Sequence, residues 1–379
     1  MLKNKIYKYL VSEILKNFIT ILLTFTAIAW SVRAVNFLDL IVDDGYDSSI
    51  YFKYSLLQIS TLITRFIPLT FLLALCISIV KFERQQELLI LWTSGLNKLK
   101  IANIFLLIAF FITFIQLIMS LFINPFLLNK SRSLLRDSEG LQYSSILKTN
   151  DFSDSLKGIT FYINEKNIKN ELLNIFIKDT SGNLNILKTK TDNESTGSTI
   201  IAKKGYIFKD KLILFNGTIQ TLNKKNEIKN IQFQKTELTL KNFNTRTITQ
   251  TKIQETSSGF LLKCIFNQNN SYLNNCPSVE FKKNALETLS RRLGAPLYIP
   301  LISIIVSFLL IYKKEKKYNY LKKYILFSVS FLMLILAEIL LKYTGFSPVT
   351  ALFYFILPVM TFVFFYIYFK KKIIHEKNI

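Results

Sequence analysis

Six runs of mostly apolar residues constrain this chain of 379 residues more than anything else in it. They lie near 18–35, 55–80, 99–123, 295–312, 324–341 and 349–369. Each is close to the ~20 residues that a helix needs to cross the hydrocarbon of a bilayer. Lipid offers the backbone no hydrogen-bond partners, so such runs must be helices. Pro68 and Pro358 fall inside two of them, and neighbouring helices must satisfy the carbonyls that each proline frees. Lysines precede the first run, and the run is long with no small-residue cleavage site after it, so it reads as a retained span.

The runs are grouped three and three around a long polar insert. Loop charge orients them. Lys3, Lys5, Lys8 and Lys16 lie before the first run, six lysines lie in 313–323, and Lys370, Lys371, Lys372 and Lys377 lie in the tail. The loop after the first run is acidic, with Asp39, Asp43, Asp44 and Asp47. The positive-inside rule then places both termini and the 81–100 loop in the cytoplasm, with the insert on the other side. The same rule accounts for much of the net charge of +23, which in a soluble protein would suggest nucleic acid.

The insert, 124–292, alternates apolar and polar residues in short β-rich runs: 159–163, 174–178, 199–202, 206–208, 212–215, 218–222, 231–233 and 237–240. Several short strands at close spacing predict a sandwich, jelly roll or partly open barrel. The expected fold class is membrane α + β: six transmembrane helices with an inserted β domain, jelly-roll-like among those alternatives, on the side away from the cytoplasm. The expected division is 1–123, 124–292 and 293–379. Cys264 and Cys276 flank an Asn-rich loop of the insert and can form a disulfide there, or stand as two thiols. Cys76 reads as a small buried apolar residue.

The segment 81–100 cannot hide in lipid. It begins charged with Lys81, Glu83, Arg84 and Glu87, carries Leu88, Leu89, Leu91 and Trp92, and breaks at Ser94-Gly95. That pattern predicts a short amphipathic helix at the membrane surface, where another protein can push on it. An ordinary loop is the alternative.

Several chemistries are missing. His375 is the one histidine, which argues against a histidine-dependent triad or a His-rich zinc site. No G-x-x-x-x-G-K-[ST] occurs among the eleven glycines, so there is no P-loop for ATP. No cofactor, metal or enzymatic activity is expected. Glu338 is the clear carboxylate within a span, with Lys342 one helical turn on. A proton-coupled transporter built on Glu338 is a further alternative.

Arg33, Arg65, Arg291, Arg292 and Lys342 sit towards the outer ends of their spans, against the inside bias. Each can snorkel to headgroups. Together they can bind the phosphates of an anionic amphiphile, which the arginine fork suits.

Three stretches resemble the LptF/LptG family of lipopolysaccharide-export permeases. Residues 8–16, KYLVSEILK, are similar to the family's interfacial N-terminal helix. Glu87 to Asn97, ELLILWTSGLN, resembles its E-(x)7-G-[VIL]-[SN] coupling segment, with Asn97 where Ser is common. Arg292-Leu-Gly-Ala-Pro296 resembles the R-x-x-x-P entry to the fourth span. The three-plus-three layout extends the resemblance over the whole chain, with the LptF half preferred.

The resemblance implies an ABC-transporter permease subunit of the inner membrane. It implies a paralogous permease as partner, an ATPase dimer of the LptB type, an LptC-type bitopic protein and a periplasmic bridge. Glu87, with Arg84, Leu91 and Gly95, is then expected to engage the ATPase. One acyl chain of a dozen carbons is held in a leaflet by roughly 10 kcal/mol, at ~0.8 kcal/mol per methylene. Extraction therefore needs work that this chain cannot generate. The competing class is a membrane-anchored periplasmic assembly or sensor protein without transport activity.

Overall fold

A computed structural model describes residues 2–42, 46–139, 149–156, 158–167, 171–180, 195–208, 211–223, 228–239, 252–266, 279–311 and 319–377. The chain forms two compact units, one of Met1–Val32, Gln58–Asn129 and Lys252–Ile379, the other of Arg33–Leu57 and Lys130–Thr251.

The elements before the insert are α1 (Leu2–Asn36), α2 (Asp39–Val42), α3 (Ser48–Arg84), α4 (Glu87–Thr93), α5 (Lys98–Ile118), a π-helical turn (Met119–Ile123) and α6 (Asn124–Glu139). Residues 8–16, expected as an interfacial helix, are thus continuous with the first span. After the insert come a 3-10 turn (Ile253–Glu255), α7 (Ser258–Phe266), α8 (Val279–Gly294), α9 (Tyr298–Ser307), α10 (Asn319–Tyr343) and α11 (Pro348–Lys377). Among the described residues, six helical stretches are long and apolar enough to cross a membrane. The one formed by α8, α9 and the 3-10 turns beside them is the most enclosed, with α9 buried along its whole length.

The first unit's core joins α1, α3, α5 and the α8–α9 span around Phe71, Phe105, Ile302 and Tyr298. Both expected proline defects are repaired there. Pro68 leaves the Thr64 carbonyl without its helical donor, and Gln116 of α5 donates to it through Nε2 at 3.1 Å. Pro358 does the same to Tyr354, whose carbonyl receives the Tyr298 hydroxyl at 3.4 Å.

The insert contributes one antiparallel sheet, β1 (Phe152–Leu156), β2 (Ile159–Lys166), β3 (Glu171–Asp179), β4 (Ser195–Phe208), β5 (Lys211–Asn223) and β6 (Ile228–Thr239). Its order is sequential, β1 through β6. The described strands are therefore one antiparallel sheet inserted between the helices, as the membrane α + β class requires.

A crease runs across this sheet. Pairing is skipped between Ile163↔Ile175 and Glu165↔Leu173, between Ile175↔Ala202 and Leu173↔Lys204, between Ala202↔Gly217 and Lys204↔Phe215, and between Gly217↔Phe233 and Phe215↔Lys235. The skipped residues, Asn164, Asn174, Lys203, Asn216 and Gln234, form a line. Asn174 and Asn216 are left-handed, each with φ 49°. The inward positions change parity there: Leu172 precedes Ile175 and Ile177 in β3, and Leu212 and Leu214 precede Ile219 in β5. In β2 to β6 the skipped residues face one another one to one, so the register is kept while the inward-facing set of each strand changes parity. The inner face is buried on both sides of that line, around Phe161, Ile163, Ile177 and Leu214.

The sheet unit ends at Thr251, whereas the insert was expected to extend to 292. Residues 252–266 and 279–292 are instead largely helical and belong to the first unit. The reason is the helical spacing of Ala285 and Leu289, which pack with Leu261 of α7.

Candidate functional site

The α3–α4–α5 connection is built almost wholly from local chemistry. α3 ends at Arg84, and Gln86 takes a left-handed φ of 59° that turns the chain into α4. Gly95, at φ 78°, ends α4: its N–H donates to Trp92 O at 3.1 Å and the Leu96 N–H donates to Leu91 O at 3.1 Å. Those two bonds and the burial of Leu91 and Leu96 in one cluster make a Schellman stop, for which a glycine is the usual solution. Asn97 then caps α5 by accepting from the Leu99 N–H at 3.2 Å. Asparagine and serine are both good N-caps, so the departure from Ser costs nothing here.

This connection is tied to the helices around it. The Tyr9 hydroxyl donates to Glu87 Oε1 at 3.0 Å, Lys81 pairs with Glu13, and Lys323 of α10 pairs with Glu83 at 2.6 Å. Arg84 is exposed beside Glu87. Leu91, expected on the docking face, is instead 7% exposed in the core, because its helical phase matches Leu88. The apolar residues that α4 presents outward are Leu89 and Ile90, about 60% exposed. Sequence spacing alone did not separate the two faces of a seven-residue helix, and Tyr9 stood within the stretch 8–16 with nothing to tie it to Glu87.

The second feature is a cavity of about 1000 Å³ between α3, α8, α10 and α11. Arg65, Lys283 and Lys342 bring positive charge to it, and Glu287 and Glu338 bring negative charge. The rest is apolar and aromatic, including Tyr298, Phe331, Ile335 and Phe346. Lys283 lies 3.8 Å from the centroid of the Phe346 ring, a close cation–π contact. Arg291 stands between Glu287, at 3.6 Å, and Glu338, at 3.9 Å, so its charge is largely answered within the protein. The Lys342 side chain is exposed.

The structure therefore brings Arg65 and Lys342 to one cavity, with Arg291 beside it. Arg33 belongs to the other unit, 5.9 Å from the Phe37 ring centroid. Arg292 is placed differently from expectation. It is buried, and its guanidinium donates to Ser258 Oγ at 2.7 Å, Gln254 O at 2.9 Å and Thr256 O at 3.0 Å. It holds the turn before α7 and leaves no fork for a lipid phosphate. Glu338 faces Arg291 and not a carboxylate partner. Cys264 is buried and disulfide-bonded, Cys76 is free, and Cys276 lies outside the described residues.

The family model of the lipopolysaccharide export system permease LptF/LptG matches residues 8–372. This chain belongs to that family. A protein of Rickettsia prowazekii (strain Madrid E), uncharacterized protein RP871, is 27% identical over 172 residues, 45% of this chain and 48% of that one. The match thus spans about half the length of that curated relative. The permease family and the six apolar helices make this a multi-pass protein of the inner membrane.

Proposed function

We propose that this chain is the membrane-spanning half of an ATP-driven exporter that lifts lipopolysaccharide out of the inner membrane. The observation that carries the reading is the family match over 8–372, together with the Glu87–Asn97 geometry. In it a surface helix is held at both ends, with Glu87 at its start and Leu89 and Ile90 facing out. Such a helix suits a groove on a cytoplasmic ATPase dimer of the LptB type. Both termini and α4 then face the cytoplasm, and the creased sheet faces the periplasm.

A paralogous LptF/LptG subunit completes the transporter, and an LptC-type protein receives the lipid on its way to a periplasmic bridge. Arg65, Lys283 and Lys342 supply cations for the phosphates of the glycolipid, and the apolar wall of the cavity meets its acyl chains. Arg33 remains a phosphate contact of its own unit, and Arg291 steadies the cavity between its two carboxylates. Cys264 and Cys276 form the disulfide of the periplasmic loop.

The test is Glu87→Lys in the full chain expressed with its partners. The expected result is loss of the co-purifying ATPase and of lipopolysaccharide export. Unchanged association and export would overturn the reading.

A further inference from the structure

We infer that the Glu83–Lys323 ion pair is the linkage through which a push on α4 reaches the wall of the cavity. The inference rests on the proposed function and adds to it the positioning residues that connect its two ends.

Glu83 lies in the last turn of α3, and its carbonyl accepts from the Gln86 N–H at 3.1 Å. Gln86 is the left-handed residue on which α4 pivots, and its own carbonyl accepts from Ile90 of α4 at 3.2 Å. Any displacement of α4 is therefore felt at Glu83 within one turn of chain. The Glu83 carboxylate meets Lys323 Nζ at 2.6 Å, with both side chains only 21% exposed. A short pair so largely removed from water is screened far less than a surface pair.

Lys323 sits near the start of α10, and the far end of the same helix lines the cavity with Phe331, Ile335, Glu338 and Lys342. Fifteen residues separate Lys323 from Glu338, about 22 Å along a straight helix. Between its ends α10 is little enclosed, with 17% of its apolar stretch buried, and its far end is held by Ala337 and Leu341 in the core and by Glu338 beside Arg291. A helix tied by a charge pair near each end and little enclosed between them carries a push at one pair to the other. Such a push moves Glu338 against Arg291, 3.9 Å away.

Glu83→Lys, Lys323→Glu and the swapped double variant separate this linkage from a structural role. In the reconstituted transporter, each single reversal should lower lipid extracted per ATP by roughly five- to tenfold, the lower range of coupling between linked sites. ATPase association should stay intact, and the double variant should recover the ratio. An unchanged ratio in the singles, or no recovery in a double variant that still assembles, would overturn the linkage.

A second measurement needs no ATPase. Spin labels at Thr93→Cys on α4 and Leu332→Cys on α10, in the chain alone in nanodiscs, should show a broadened distance distribution on Lys323→Glu and a narrow one in the swap. An unchanged distribution overturns the linkage even where the proposed transport function fails.

Discussion

The side-chain amide of Gln116 donates at 3.1 Å to the main-chain oxygen of Thr64, the carbonyl that Pro68 deprives of its helical partner. The bond crosses from α5 to α3 inside the first unit. It ties α3 to α5 at the proline. Asn124 adds to it by donating to Thr64 Oγ1 at 2.9 Å. Gln116→Leu should therefore cost about 1–3 kcal/mol, the penalty of one buried polar group left unpaired. Pro68→Ala restores the helical donor, so Gln116→Leu should cost clearly less in that background. Equilibrium unfolding of the four proteins of this cycle in detergent measures the difference, and equal costs in both backgrounds would remove the link.

The sequence displayed the helical half of this fold openly. Apolar runs of bilayer length are nearly unambiguous, and both prolines announced a need for donors. It could not say that Gln116 and Tyr298 meet that need, because partners across helices depend on packing and not on spacing. The sheet was legible only in fragments. Runs at 199–202 and 206–208 read as two strands, yet both belong to β4, and 212–215 and 218–222 both belong to β5. The gaps between the runs are the crease, where one unpaired residue per strand breaks the alternation on which a strand is recognised. The 87–97 segment was visible as a motif, but its inner and outer faces were not. Arg292 looked like a ligand group because sequence shows charge and not the three carbonyl and hydroxyl oxygens around it.

That difference between cations is testable. Arg292→Lys keeps the charge but cannot span Ser258, Gln254 and Thr256 at once. It should destabilise the protein by about 2–4 kcal/mol, the range for breaking charge-assisted hydrogen bonds at a buried site. Lys342→Ala, at an exposed side chain, should change stability by less than about 0.5 kcal/mol. It should instead reduce the phosphorylated glycolipid that stays with the purified protein, read by mass spectrometry. Equal effects of the two variants on stability would show that the assignment of roles is wrong.

The crease makes a prediction about backbone conformation. Asn216 is held at φ 49°, a region that asparagine tolerates and β-branched residues do not. Asn216→Val should cost about 1–3 kcal/mol through that strain, while Asn216→Gly should be near neutral. Hydrogen exchange in the full chain should show the loss of protection at β4 and β5 first. If valine is tolerated as well as glycine, the left-handed residue is not what shapes the crease.

Gly294 supplies the last test, at the junction of α8 with the span that follows. A Cβ there would lie 2.3 Å from Tyr354 Cε1 and 3.1 Å from Phe355 Cε1. The Tyr354 ring is 1% exposed and its centroid is 5.5 Å from that of Tyr298, so it can give way only towards the cavity that it lines. Tyr298 also holds the carbonyl that Pro358 frees, so pushing Tyr354 disturbs the repair of the α11 bend. Gly294→Ala should thus destabilise by about 1–3 kcal/mol, as overpacking in a dense core does. Because Tyr354 lines the cavity, the variant should also weaken retention of glycolipid. Tyr354→Leu removes the ring that the new methyl would strike. In that background Gly294→Ala should be nearly silent in thermal unfolding, and a full cost there would mean that the close approach of these helices is set by something other than the tyrosine.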